Sequence, residues 1–133
     1  MIKYALIGCG RIAPNHIAAA WSNRERLEIA AVCDILPEHC EKVLEQLPEK
    51  DRAEVKRYTD YREMLSQTRP ELVAIATESG KHAQIALDCI AAGCNVIIEK
   101  PIALSIADAN AIIAAAKAKG VKVSTNHQNR FNK

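Results

Sequence analysis

Short apolar runs rich in β-branched residues alternate along the chain with longer segments of helical periodicity. Apolar runs of this kind predict strands that are buried on both faces. The predicted strands cover residues 3–7, 27–33, a short segment at Tyr58, 71–76, 95–98 and 121–125. Because strand and helix alternate throughout, we predict a doubly wound α/β domain with a mostly parallel sheet and right-handed crossovers.

The intervening segments carry helix start and stop signals. Helices are predicted over residues 11–23, 37–47, 61–66, 81–92 and from Ser105 to a stop at Gly120, whereas 51–55 is polar and left unassigned. Asp60 is a candidate N-cap, and Ser105 with Asp108 forms a variant capping box. We therefore expect one domain over residues 1–133, with the strand order 3-2-1-4-5-6 of a Rossmann sheet.

Composition excludes several classes of function. Eighteen Lys and Arg against sixteen Asp and Glu leave a net charge of only +2, without the basic excess of a nucleic-acid binder. The longest apolar stretches fall far short of the roughly 20 residues that span a bilayer, and the first residues do not resemble a signal peptide. The five cysteines form no C-x-x-C pair, which indicates reduced thiols that fill small volumes in the core of a cytoplasmic protein. The histidines do not have the spacing of zinc ligands. No metal, membrane or nucleic-acid partner is expected.

The first strand ends in the fingerprint G-x-G-x-x-A, from Gly8 to Ala13. In such a turn the first glycine allows a tight bend, and Gly10, without a Cβ, lets a pyrophosphate approach the backbone. The following helix directs unpaired N–H groups and its positive end at the phosphates, which places Arg11 and Ile12 at the ligand. The position of the fingerprint between a predicted strand and a predicted helix favours dinucleotide binding.

An acidic residue, Asp34, ends the second strand 24 positions after Gly10. A carboxylate there accepts hydrogen bonds from the adenosine ribose hydroxyls and repels a 2′-phosphate. The next residue, Ile35, is neither the Arg nor the Ser that often holds that phosphate. NAD is therefore the expected cofactor rather than NADP, with the alternative that Asp34 is simply a turn residue before Pro37.

Three polar clusters follow the later strands, at the sheet edge where such folds bind ligands. The first contains Thr77, Glu78 and His82, the second is Glu99-Lys100-Pro101, and the third contains Gln128, Asn129 and Arg130. We expect them to meet on the nicotinamide side of one cleft. For His82 a local hydrogen bond, and for Arg130 exposure to solvent, are the alternatives to a ligand contact.

These motifs together resemble the cofactor domain of the glucose–fructose oxidoreductase / inositol dehydrogenase (Gfo/Idh/MocA) family, over essentially all 133 residues. The resemblance is carried by G-C-G-R-I-A, C-D, A-T-E-S-G-K-H and E-K-P. The closing H-Q-N-R-F-N resembles more particularly a branch that oxidises C3 of UDP-N-acetylglucosamine or its uronic acid, in nucleotide-sugar and lipopolysaccharide biosynthesis.

The resemblance implies roles for individual residues. Lys100 of E-K-P would lie beside the nicotinamide ribose and the substrate and take part in proton transfer, with a solvated strand-end lysine as the alternative. Pro101 would shape that link, Gln128 would contact the cofactor, and Asn129 and Arg130 would contact the substrate. The chain departs from the family at Glu78, where relatives usually have proline in a loop that lines the nicotinamide pocket.

Members of the family also carry a second domain with an open antiparallel sheet, which completes the substrate site and supplies a histidine acid or base. We expect this domain to be absent here, so that the 133-residue piece binds NAD but turns over a nucleotide sugar negligibly, while the full-length form is a homo-oligomer. The alternatives are a dehydrogenase of a free polyol or simple sugar, and an NAD-sensing module without catalysis.

Overall fold

The computed structural model describes residues 1–77, 81–99 and 106–126, which form a six-stranded parallel sheet. The strands are β1 (Ile2–Ile7), β2 (Leu27–Cys33), β3 (Lys56–Tyr58), β4 (Leu72–Ile75), β5 (Asn95–Glu99) and β6 (Val123–Asn126). Their spatial order is β3-β2-β1-β4-β5-β6. The predicted fold class and strand order are confirmed. Successive strands are added on one side of β1 up to β3 and on its other side from β4 onward, so the switch in strand order lies between β1 and β4.

Six helices connect these strands within the described residues. They are α1 (Ala13–Ser22), α2 (Pro37–Leu44), α3 (Glu49–Ala53), α4 (Tyr61–Thr68), α5 (His82–Ala91) and α6 (Ile106–Lys119). Asp60 caps α4 as expected, since its carboxylate accepts a hydrogen bond from the N–H of Arg62 at 2.9 Å.

The structure differs from the sequence prediction between residues 44 and 55. The second helix ends at Leu44 rather than near residue 47, and the unassigned polar segment contains α3. After Leu44 the chain tightens into i→i+3 turns, in which the N–H groups of Glu45 and Leu47 donate to the carbonyls of Lys42 and Leu44 at 3.2 and 3.0 Å. The carbonyl oxygen of Pro48 then accepts the N–H groups of Asp51 and Arg52, each at 3.0 Å, and begins α3.

The sheet has a hydrophobic core on each face, and β1 contributes to both because its side chains alternate. Tyr4 and Leu6 pack with α1 and α2, whereas Ala5 and Ile7 pack with α4, α5 and α6. This three-layer arrangement leaves the carboxyl ends of the strands as an edge at which the connecting turns gather. Among the described helices, none combines the length and apolarity of a membrane span.

Candidate cofactor site

The turn between β1 and α1 is pressed against the end of β4. Gly8 has φ +93°, and a Cβ built on it would lie 2.7 Å from the backbone carbon of Ala76 and 2.7 Å from the backbone nitrogen of Thr77. Its N–H donates to the carbonyl of Cys33 at 2.8 Å, which ties the turn to the end of β2 as well. Only glycine satisfies both the conformation and the close approach, in agreement with the role predicted for the first fingerprint glycine.

Two residues further on, the turn faces open space. A Cβ built on Gly10 would meet no atom within 4 Å. α1 begins after Ile12 without a side-chain cap, and in the described part of the chain the N–H groups of Arg11 and Ile12 have no protein acceptor. Open space beside a bare helix N-terminus is the arrangement that binds a pyrophosphate, so this region fits the phosphates of a dinucleotide.

Asp34 lies beside this turn with both carboxylate oxygens oriented by backbone donors. Oδ2 accepts the N–H of Cys9 at 2.8 Å, and Oδ1 accepts the N–H of Leu36 at 2.9 Å. His39 adds a third neighbour, with its Nδ1 3.3 Å from Oδ1. Asp34 is therefore a turn residue, and the lone pairs that remain on its oxygens still suit ribose hydroxyl donors.

The residue after this carboxylate provides apolar surface. Ile35 is 72% exposed, and the neighbouring Leu36 is exposed as well. Exposed branched side chains beside the Asp34 carboxylate offer an apolar surface that fits the flat face of an adenine ring, and residues 34–38 contain no cationic side chain that could pair with a 2′-phosphate. His39 was not singled out from the sequence as a neighbour of this site, although it lies only five residues after Asp34.

On the other side of the sheet edge, His82 is the first residue of α5 and is only 1% exposed. Its Nε2 lies 2.7 Å from the carbonyl oxygen of Thr77, a half-buried residue two positions after the end of β4. This contact joins the two ends of the loop that contains Glu78, which itself lies outside the described residues. The local hydrogen bond expected as an alternative for His82 is present, and its contact with the cofactor stays a prediction.

A buried ion-pair geometry connects α1 with the end of β5. Nε2 of His16 lies 2.7 Å from Oε2 of Glu99, and the two side chains are 7% and 10% exposed. Glu99 is the last residue of β5 and comes directly before Lys100. His16 was considered from the sequence only as a metal ligand, and no local signal pairs it with a residue 83 positions away.

Several predicted site residues lie outside the described part of the chain. They are Glu78, Lys100, Pro101, Gln128, Asn129 and Arg130. Among the described residues no group of three or more His, Cys, Asp or Glu side chains could hold a metal ion.

A cavity of about 310 Å³ lies at the opposite, amino end of the sheet, between α1, the start of β2 and α3. Its lining includes Trp21, Glu28, Asp51 and Glu54. Arg24 also lines the cavity, but three carboxylates against one guanidinium leave the lining net negative. Since the cavity also lies at the end of the sheet opposite the glycine turn, it does not fit the phosphates of a nucleotide.

Comparisons with known proteins identify the family of the chain. The sequence model of the oxidoreductase family with an NAD-binding Rossmann fold, Gfo/Idh/MocA, matches residues 2–127. The chain belongs to this family. It is an NAD-binding Rossmann domain, and the described turn, helix N-terminus and Asp34 are the parts that fit NAD.

Individual Gfo/Idh/MocA relatives are similar over nearly the whole chain. Inositol 2-dehydrogenase of Salmonella typhimurium is 29% identical over 99% of the chain and 38% of its own length. The WlbA dehydrogenase of Chromobacterium violaceum, solved with NADH and UDP-GlcNAcA, superposes with a TM-score of 0.87 at 34% identity, over 98% of this chain and 36% of that one. The Bordetella pertussis WlbA dehydrogenase, also with NADH and UDP-GlcNAcA, gives a TM-score of 0.86 at 32% identity, with 98% and 39% covered. The chain thus spans little more than a third of the length of these relatives.

Proposed function

We propose that this chain is the cofactor half of an NAD-dependent dehydrogenase that removes a hydride from C3 of a UDP-N-acetyl sugar or its uronic acid, within nucleotide-sugar and lipopolysaccharide biosynthesis. The observation that carries the substrate class is the likeness to two WlbA dehydrogenases solved with UDP-GlcNAcA, at 34% and 32% identity. The H-Q-N-R-F-N segment at the end of the chain supports the same branch.

The described residues divide the binding of NAD between them. The open space beside Gly10 and the N-terminus of α1 would receive the pyrophosphate, Asp34 would accept the hydroxyls of the adenosine ribose, and Ile35 would lie against the adenine. NAD, when bound, supplies the carbon that accepts the hydride. The charge on Asp34, held in place by two backbone donors, disfavours a 2′-phosphate and so selects NAD over NADP.

Proton transfer is assigned to Lys100 by resemblance. Its amine would take the proton from the sugar hydroxyl as the hydride leaves. We place two groups of residues at the ligands. The nicotinamide end of the cofactor would be contacted by Thr77, Glu78, His82, Glu99, Pro101 and Gln128. The substrate would be contacted by Asn129 and Arg130. The His16–Glu99 contact supports this arrangement, because it anchors the residue directly before Lys100 to the helix that faces the phosphates.

A dehydrogenase of a free polyol is the second candidate. It is favoured by the similarity to inositol 2-dehydrogenase, which covers 99% of the chain. The two candidates share the NAD site and the hydride transfer, and they differ in whether a nucleotide group must be recognised.

Catalysis needs the substrate held against both the nicotinamide and the base. Since the chain corresponds to just over a third of each relative, we propose that it binds NAD by itself but turns over substrate negligibly, and that a homo-oligomeric full-length protein carries the complete site. Five unpaired, buried cysteines support a location in the reducing cytoplasm.

Calorimetric titration of the chain with NAD and with NADP tests the cofactor assignment. We expect NAD to bind at least about tenfold more tightly, which corresponds to about 1.4 kcal/mol. Asp34→Asn, which removes the charge but keeps the size of the side chain, should reduce the ratio of the Kd of NADP to the Kd of NAD. Equal affinity of the wild-type chain for NAD and NADP would contradict the role of Asp34.

The substrate class is tested with the full-length gene product that contains this chain. NADH formation is followed with UDP-GlcNAcA, UDP-GlcNAc and myo-inositol as alternative substrates. Oxidation of a UDP-sugar and not of myo-inositol supports the first candidate, and the opposite result supports the second. Failure of Lys100→Met to slow the reaction would remove the lysine from the proposed chemistry.

A further inference from the structure

Two cysteine thiols lie in contact directly behind the phosphate turn. Cys9 is the middle residue between the two fingerprint glycines, and Cys40 lies in α2. Their Sγ atoms are 4.0 Å apart, although the residues are separated by 31 positions in the chain. They are 5% and 1% exposed, and both are unpaired.

The fold selects this pair among the five cysteines. Cys9 and Cys40 belong to the core that packs on the α1–α2 face of the sheet. Cys33, Cys89 and Cys94 belong to the core on the opposite face. We therefore expect no disulfide between Cys33 and either of these two thiols, even though the carbonyl oxygen of Cys33 is 3.5 Å from the Cys9 sulfur.

The hydrogen bond between the two thiols makes them chemically unequal. The contact between the two sulfurs lowers the pKa of Cys40 and raises that of Cys9, whose single S–H also has the carbonyl oxygen of Cys33 within 3.5 Å. Burial raises the pKa of both thiols and opposes the lowering at Cys40. Cys40 is consequently the sulfur that becomes nucleophilic first.

We propose that Cys9 and Cys40 are an oxidation site at which a reversible disulfide joins the phosphate turn to α2 and weakens NAD binding. The inference rests on the binding of NAD at this turn. The oxidant is a hydroperoxide small enough to enter during local opening of the turn.

With hydrogen peroxide the reaction balances as follows. The Cys40 thiolate attacks one peroxide oxygen, the O–O bond breaks, and the sulfur becomes a sulfenic acid while the departing hydroxide takes up the proton lost by Cys40 to give water. The Cys9 sulfur then attacks the Cys40 sulfur, the S–O bond breaks, and the leaving oxygen takes the Cys9 proton as a second water. Two thiols lose two electrons in total, and one peroxide is reduced to two waters.

As part of this proposal, closing the bond moves groups that frame the cofactor site. A disulfide needs the sulfurs at about 2.05 Å, so the present separation of 4.0 Å has to shrink by roughly 2 Å. Gly8 cannot follow, because it is in close contact with the end of β4. The movement falls on the Cys9–Gly10 segment and on α2, and the hydrogen bond from the Cys9 N–H to Asp34 lies between them. By linkage, bound NAD should oppose the oxidation to the same degree that oxidation opposes NAD.

The test treats the chain with hydrogen peroxide in the presence and absence of saturating NAD. Disulfides are mapped by differential alkylation and peptide mass spectrometry, and the Kd of NAD is measured by calorimetry before oxidation, after it, and after reduction with dithiothreitol. We expect a Cys9–Cys40 bond, a Kd raised at least about tenfold, recovery on reduction, and slower bond formation with NAD bound. Cys89 and Cys94, buried in the other core, should remain thiols and serve as internal controls.

Two variants sharpen the result. Cys40→Ser should bind NAD like the wild type and lose its sensitivity to peroxide, whereas Cys33→Ser should keep that sensitivity. Absence of the Cys9–Cys40 bond in the wild-type chain, or an unchanged Kd once the bond has formed, would overturn the proposal. A reduced wild-type chain that binds no NAD would instead contradict the cofactor assignment, since the peptide map scores the disulfide independently.

Discussion

The substitution Gly8→Ala tests whether the phosphate turn is built as the structure indicates. Two separate penalties are expected. The residue has φ +93°, and a left-handed conformation costs an L-residue about 1–2 kcal/mol. The added Cβ would lie 2.7 Å from backbone atoms of Ala76 and Thr77, which belong to the end of a central strand and cannot rotate away. Overpacking of this kind costs a further 1–3 kcal/mol, roughly, which gives a total of about 2–5 kcal/mol.

Two other glycines provide matched controls. Gly93 has φ +87° but no atom within 4 Å of a built Cβ, so Gly93→Ala should show only the conformational penalty of about 1–2 kcal/mol. Gly10 has neither a positive φ nor a neighbour within 4 Å. Gly10→Ala should therefore leave stability nearly unchanged, while its methyl group occupies the space of the pyrophosphate and raises the Kd of NAD at least about tenfold.

Urea unfolding monitored by the fluorescence of Trp21 measures the free energy of unfolding of all three variants, and calorimetry measures NAD binding. The expected order of stability is Gly10→Ala, then Gly93→Ala, then Gly8→Ala as the least stable. If Gly8→Ala is no less stable than Gly93→Ala, the close contact with the end of β4 adds nothing to the loss of unfolding free energy. If Gly10→Ala binds NAD like the wild type, the open space at that position is not the phosphate site.

Three further predictions concern stability. His16→Leu removes the 2.7 Å contact to the buried Glu99 carboxylate and should cost about 1.5–3 kcal/mol in urea unfolding, the range of a hydrogen bond to a charged group. The double substitution with Glu99→Leu should cost less than the sum of the two single substitutions, and strict additivity would show that the two side chains are not coupled. Burial raises the pKa of Cys94 to about 11 from its ordinary value of 9, so the folded state holds this proton more tightly than the unfolded state. Thermal stability should therefore fall as the pH rises from 9 to 11, and it should fall less steeply in Cys94→Ser. Parallel pH profiles of the melting temperature for the two proteins would contradict this. Asp60→Ala removes the N-cap of α4 and should cost about 1 kcal/mol, which Asp60→Ser should largely restore; equal losses in both variants would rule out the cap.

Much of the fold was predictable from the sequence because its signals are local. The boundaries of β2, residues 27–33, agree with the structure, since a run that is apolar except for Glu28 lies between Arg26 and Asp34. The strand order follows from the alternation of elements together with the handedness of crossovers. The short helix α3 was not predictable in the same way, because its four charged residues and one alanine bury no side chain and show no apolar periodicity. Its formation depends on the backbone direction that Pro48 imposes.

The residues of the candidate site show the same difference between local and long-range sequence signals. Gly8, Gly10 and Asp34 could be proposed from the sequence because the chemistry of pyrophosphate and ribose requires particular residues at particular distances along one βαβ unit. The His16–Glu99 contact joins residues 83 positions apart, and only the folded sheet brings them together. The Cys9–Cys40 contact likewise depends on how α2 packs against the phosphate turn. Pairs of this kind have no sequence signature, because nothing in the local pattern of either partner specifies the other.

The position of Asp34 shows why its two interpretations do not exclude each other. As a turn residue, its carboxylate accepts the N–H groups of Cys9 and Leu36, which come from the two segments that would border the adenosine ribose. A side chain held in this way loses little rotamer freedom when ribose hydroxyls bind, so the turn contacts prepare the binding function. The same contacts prevent the carboxylate from rotating away from a 2′-phosphate. Under the proposed function, selection of NAD would depend on the rigidity of Asp34 as much as on its charge, and this rigidity would link cofactor choice to the same turn that contains Cys9.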